Sequence, residues 1–78
     1  MAGSKLPAVR AKEVVRALEK AGFTQWRQKG SHLTMYAVDQ RVLTVPIHFS
    51  KTVPKGTMRT IIRSSGLGVE EFVRLLKS

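Results

Sequence analysis

The stretch at 23–46, FTQWRQKGSHLTMYAVDQRVLTVP, decides the fold. Its residues alternate with a period of two and are rich in Thr, Val, Leu and aromatic side chains, which suit a pleated, half-buried surface. Gly30-Ser31 and Asp39-Gln40 interrupt the alternation as turns. The second turn lacks the glycine that a two-residue hairpin prefers. The pattern therefore predicts three strands, at 23–29, 32–38 and 41–45, the last stopped by Pro46. Spacers this short join antiparallel neighbours and leave no room for parallel crossovers.

Alternation also assigns faces. Leu33, Met35 and Ala37 share one side of the second strand, and Leu43 and Val45 one side of the third. These sides are expected to meet helices. His32, Thr34 and Tyr36 point the other way, with Thr44 beside them. Such a face fits either a half-exposed sheet or a site.

Helical periods lie on both sides. Val14, Ala17, Leu18 and Ala21 fall at i, i+3, i+4 and i+7, predicting a helix over 10–21 with Gly22 as its C-cap. No Ser, Thr, Asp or Asn stands at its start. Glu19 is spaced to pair weakly with Arg16. After a loop at 47–55, Gly56-Thr57 opens a second helix with Met58, Ile61 and Ile62 on one face. Gly66 ends it, with Leu67 placed for a Schellman contact. Gly68 starts a short third helix, with Glu70 and Glu71 in its first turn and Phe72, Leu75 and Leu76 on its apolar face. The order α–β–β–β–α plus a terminal helix, a three-stranded antiparallel sheet packed on helices, is an α+β architecture. It is also the order of the double-stranded-RNA-binding domain.

Length and charge set the class. The chain has 78 residues, predicting one domain over 1–78 with a loose lead-in at 1–8. Absence of cysteine excludes a disulfide scaffold, a thiolate metal site and a cysteine nucleophile. No apolar run approaches a membrane span, and the N-terminus MAGSKLPAVRAK has no apolar signal core, so a cytoplasmic protein is expected. Fourteen Lys and Arg against five Asp and Glu give a formal net charge of +9. The cations run the whole length, so the folded body carries them. Such a field suits a polyanion, either nucleic acid or an acidic protein, or serves solubility alone.

The available chemistry is narrow. Glu13 and Glu19 do not share a helix face, and Glu70 and Glu71 diverge, which argues against a metal nuclease. No cofactor or metal is expected. His32 follows the Gly30-Ser31 turn, with Arg27 and Lys29 before it. Histidine exchanges protons near neutral pH, and neighbouring cations suit a phosphate. Such a residue fits attack of an RNA 2′-OH on its own phosphate. A lone turn histidine is otherwise inert surface. His48 reads as a second proton-transfer group, a phosphate donor or an ordinary loop residue. Trp26 and Tyr36 offer rings for base stacking, although core packing is the stronger reading of Trp26. Gly30 and Gly56 bring backbone amides within reach of phosphate.

Five blocks carry a family resemblance. They are Leu18-Glu19-Lys20-Ala21-Gly22-Phe23, Arg27-Gln28-Lys29-Gly30-Ser31-His32, Thr44-Val45-Pro46 with His48, Lys55-Gly56-Thr57-Met58-Arg59-Thr60-Ile61, and Gly66-Leu67. In this order, over about 12–76, the chain resembles the HicA toxins, the YcfA-like mRNA interferases. The resemblance implies a double-stranded-RNA-binding-like fold and a toxin role in a type II toxin–antitoxin system. It implies endoribonuclease action on mRNA without the ribosome being required, and a HicB-like antitoxin that covers the active site. The family's catalytic histidine carries over to His32, flanked by Gly30 and Ser31; His48 and Lys55 match pattern positions without a firm role. Arg27, Lys29, Gly30, Ser31, Thr34, Tyr36, His48 and Lys55 are the expected RNA-binding residues. Departures fall at caps and turns: Arg10-Ala11 for a Ser-Gly helix entry, Gln40 for a hairpin Gly, Gly68 for a Ser or Thr cap. The rival readings are a non-catalytic RNA-binding module of the same fold and a domain that only binds an acidic protein.

Overall fold

The computed structural model describes residues 8–47 and 52–78. The elements follow as α1 (Ala11–Lys20), β1 (Thr24–Lys29), β2 (His32–Tyr36), β3 (Val42–Pro46), α2 (Lys55–Ser65) and α3 (Val69–Lys77). The strands form one antiparallel sheet in the order β1-β2-β3. This is the expected α+β architecture, with the element order of the double-stranded-RNA-binding domain.

Helix α1 buries Ala11, Val14, Val15, Ala17 and Leu18. Its entry lacks a short polar cap, and Glu13 braces it from within the first turn. The Glu13 carboxylate accepts the Arg10 backbone N–H at 2.9 Å, the returning half of a capping box. Its exit is a Schellman turn: Gly22 sits at φ +102°, and the Phe23 N–H reaches back to the Leu18 carbonyl at 2.9 Å. Glu19 accepts from Gln25 Nε2 at 3.1 Å, where the sequence suggested Arg16.

The sheet turns one face to the helices. Leu33, Met35, Ala37, Leu43 and Val45 are buried, with Met35 and Val45 fully enclosed. They meet α1 and α2, while α3 packs against α1 and drives Phe72 into the same core. Burying each large side chain of this kind contributes roughly 1.5–3 kcal/mol. An additional bridge clips the two helix entries together. Thr52 pairs with Arg10, and the Val53 N–H donates to the Val9 carbonyl at 2.8 Å, which buries both valines.

Arg41 braces the hairpin to the end of α2. Its Nε lies 2.8 Å from Asp39, its guanidinium carbon lies 5.2 Å from the Phe23 ring centroid, and its Nη1 donates to the Ser65 carbonyl. The hydrogen bond from Arg41 holds the exposed Asp39 carboxyl below the usual carboxylate range. With a lowered folded-state pKa, the contribution of this pair is present above the ordinary Asp value and is lost as pH falls through the folded one. Ser65 is fully buried and satisfied: its hydroxyl donates to the Ile62 carbonyl at 2.6 Å and accepts the Leu67 N–H at 3.1 Å. The expected end of α2 is found: Gly66 caps it, Leu67 is partly buried against the core, and the Ser65 hydroxyl holds the Leu67 N–H.

Two left-handed positions give predictions of opposite sign. Gly66 lies at φ +78°, and a Cβ there would come within 2.8 Å of Arg41 Nη1. Gly66→Ala is expected to destabilise by about 1–3 kcal/mol. Gln40 lies at φ +74° without that excuse. Gln40→Gly is expected to stabilise by roughly 0.5–1 kcal/mol. Urea unfolding midpoints of the two variants, on either side of the parent, check both.

Candidate functional site

The pairing of β1 with β2 builds the outward face. Lys29 stands opposite His32 across the Gly30-Ser31 turn, and Arg27 stands opposite Thr34, which pairs onward with Thr44. Gly30 adopts φ +60°, a conformation glycine takes without steric cost. The Ile47 N–H donates to the Ser31 carbonyl at 2.6 Å, so the turn is tied to the end of β3. Arg27, Lys29, His32 and Thr44 are exposed and Thr34 is half-buried.

Register thus converts six separate sequence positions into one open concavity, lined by Arg27, Gln28, Lys29, His32, Thr34 and Thr44. Four of the expected site residues meet there: Arg27, Lys29, His32 and Thr34. Tyr36 lies on the same face farther along β2. Gly30 and Ser31 form the turn beside it. Lys55 is exposed at the first position of α2 and is not among the lining residues. His48 lies outside the described residues.

The electrostatics are one-sided. Glu13 and Glu19 belong to α1, Glu70 and Glu71 to α3, and Asp39 is bound to Arg41. None of the five acids lines the concavity. Its two cations therefore face water without a local carboxylate, an arrangement that favours an anion. Among the described residues, no three His, Asp or Glu side chains come together to hold a metal ion. A second groove, between α1 and β1, is lined by Arg10, Lys12, Arg16, Glu19, Gln25 and Leu33 among others and includes no histidine.

One reading is overturned. Trp26 was expected to be core packing, yet it is 61% exposed. The cause is a bulge. Gln25 pairs with Met35 and Arg27 with Thr34, so Trp26 is an extra residue without an opposite number. Its ring stands edge-on to Tyr36, at 6.3 Å between centroids and 83° between planes. A bulge leaves no direct mark in the sequence. The absence of any aliphatic residue in TQWRQK was the available sign that β1 stays out of the core.

The comparison with known families adds the context. The model of the family described as "HicA toxin of bacterial toxin-antitoxin" matches residues 11–67. The chain belongs to the HicA toxin family. The match runs from the start of α1 past the cap of α2, and it includes every residue that lines the concavity. No curated protein matches the chain significantly. As a HicA toxin, the protein is the toxin component of a toxin–antitoxin system, and membership implies an antitoxin partner. Among the described residues, no helix is long and apolar enough to cross a membrane.

The exposure of His32 separates its chemistry from the fold. His32→Ala is expected to change stability by less than about 0.5 kcal/mol. Leu33→Ala, one residue on and buried, should cost about 2–5 kcal/mol. Thermal unfolding of both variants tests this contrast.

Proposed function

We propose that the protein is a metal-independent endoribonuclease, an mRNA interferase, in which His32 is the general acid or base. The whole chain, 1–78, is read as one HicA domain acting in the cytoplasm. The observation that carries this reading is the concavity in which His32 stands with Arg27 and Lys29 on a face free of carboxylates. The two cations hold the scissile phosphate, with bidentate contact available to Arg27. In the reaction, the RNA 2′ oxygen bonds to phosphorus and the bond to the 5′ oxygen breaks. The 2′-OH proton leaves and the 5′ oxygen takes one up, and His32 serves one of these transfers. The products are a 2′,3′-cyclic phosphate and a 5′-OH end. Ser31 shapes the turn that presents the imidazole. Thr34 and Tyr36 are assigned to the RNA's sugar and bases, and His48 and Lys55 to its backbone.

The same face suits the antitoxin. A HicB-like partner with an acidic surface would cover the concavity, match its charge and exclude RNA.

Cleavage of an unstructured RNA by purified protein in EDTA tests the chemistry. His32→Ala should lose about 10²–10⁴ in rate while still binding RNA. Cleavage by this variant at the parent rate removes His32 from the mechanism, and 3′-OH ends alone exclude 2′-OH attack. No turnover by the parent, with binding intact, would leave the non-catalytic RNA-binding module. Arg27→Ala and Lys29→Ala should each weaken RNA binding and reduce the slope of log affinity against log salt by about 0.7.

A further inference from the structure

The outward face of the sheet has two halves. At one end lie Arg27, Lys29 and His32. At the other, Trp26, Tyr36 and Val42 are 61%, 40% and 53% exposed. Tyr36 and Val42 are cross-strand partners, and Trp26 adjoins Tyr36 edge-on, so the three make one apolar patch. Arg27 joins the halves: it lines the concavity, and its guanidinium carbon lies 5.7 Å from the Trp26 ring centroid.

From this juxtaposition we infer that Trp26 is a stacking shelf for an unpaired base of the RNA substrate, braced by Tyr36. The proposal rests on the reading of this face as the RNA site and deepens it to a substrate class, single-stranded RNA. The bulge turns the largest side chain of the chain away from the core. Most of the indole remains in water, which leaves room for a base against it. Base-on-aromatic stacking tolerates every sequence because every base has a π-face. A cation beside the aromatic suits the alternation of base and phosphate along a strand. An acidic protein would use the cations but has no comparable need for the ring. Tyr36 lies four steps along β2 from His32, about 13 Å of strand. The stacked base is thus a neighbour of the cleaved linkage and not the base directly at it. Bases paired within a duplex are stacked on each other and cannot be presented to the ring.

Trp26 is the only tryptophan, so its emission reports on this position alone. His32→Ala protein, which keeps the RNA intact, is titrated with a short unstructured RNA carrying a 5′ dye. Anisotropy reads binding and tryptophan emission reads stacking. The expected result is quenching that saturates together with the anisotropy. In the same background, Trp26→Leu should weaken binding about tenfold, and Trp26→Phe should recover most of it. A hairpin-free duplex of the same sequence should bind at least several-fold more weakly and quench less. A rise in anisotropy with flat emission, and Trp26→Leu binding like its parent, overturns the shelf and assigns the patch to a protein partner. That outcome leaves the ribonuclease reading intact, because cleavage in EDTA judges it separately. No binding by either readout likewise overturns the shelf.

Discussion

The register of β2 is the constraint on which the rest depends. Leu33 and Met35 point into the core while His32, Thr34 and Tyr36 point out of it. Because side chains alternate strictly, a slip of one residue would expose two large apolar groups and bury a histidine, a threonine and a tyrosine. Burial of Leu33 and Met35 therefore holds His32 outside as firmly as it holds the fold together. Two local features fix the same register from the ends. Gly30 lets the turn close between Lys29 and His32, and the bond from Ile47 to Ser31 ties that turn to the edge strand. Leu33 does not touch the chemistry proposed for the site, yet it positions the residue that does.

Helices on only one side of the sheet have a second consequence. The core must be filled from that side, so the acids that cap and pair along α1 and α3 are kept there with it. The open face is left with cations and no carboxylate. A net charge of +9 spread along a chain is unspecific; the layer arrangement makes part of it directional. Asp39 is nearest in sequence to being an exception. Arg41 engages it and in doing so also joins Phe23 and the end of α2, so the one acid of the sheet region serves the scaffold.

Much of this was legible in the sequence, and the remainder has physical reasons for being hidden. Alternation in HLTMY and RVLTV told inside from outside because burial enforces it, and each glycine stop matched a helix end. Caps were less legible. The Glu13 carboxylate takes the Arg10 N–H although no Ser or Thr stands at the entry, and the Ser65 hydroxyl takes the Leu67 N–H, because side chains can satisfy backbone donors at helix ends in several ways. Long-range contacts were invisible: nothing local in Arg41 says that it will reach Ser65, or in Val53 that it will bond to Val9. Trp26 failed for a sharper reason. Its composition argues for burial, and only a one-residue misalignment against β2 reverses its direction.

That reversal bears on how one small face serves two partners. A three-stranded sheet covered on one side exposes a large share of its surface, and large apolar groups left there are normally tolerated only singly. Here Trp26, Tyr36 and Val42 stand together beside Arg27, Lys29 and His32. If RNA and antitoxin both bind this face, as proposed, inhibition needs no conformational change in the toxin. The antitoxin has only to cover the ground that the RNA would use. The unpaired cations that make the face a substrate site are then the same ones that make it adhesive to an acidic inhibitor. Removing those cations to reduce antitoxin affinity would also reduce hold on RNA. The toxin cannot easily escape its partner by substitution on this face while keeping its activity.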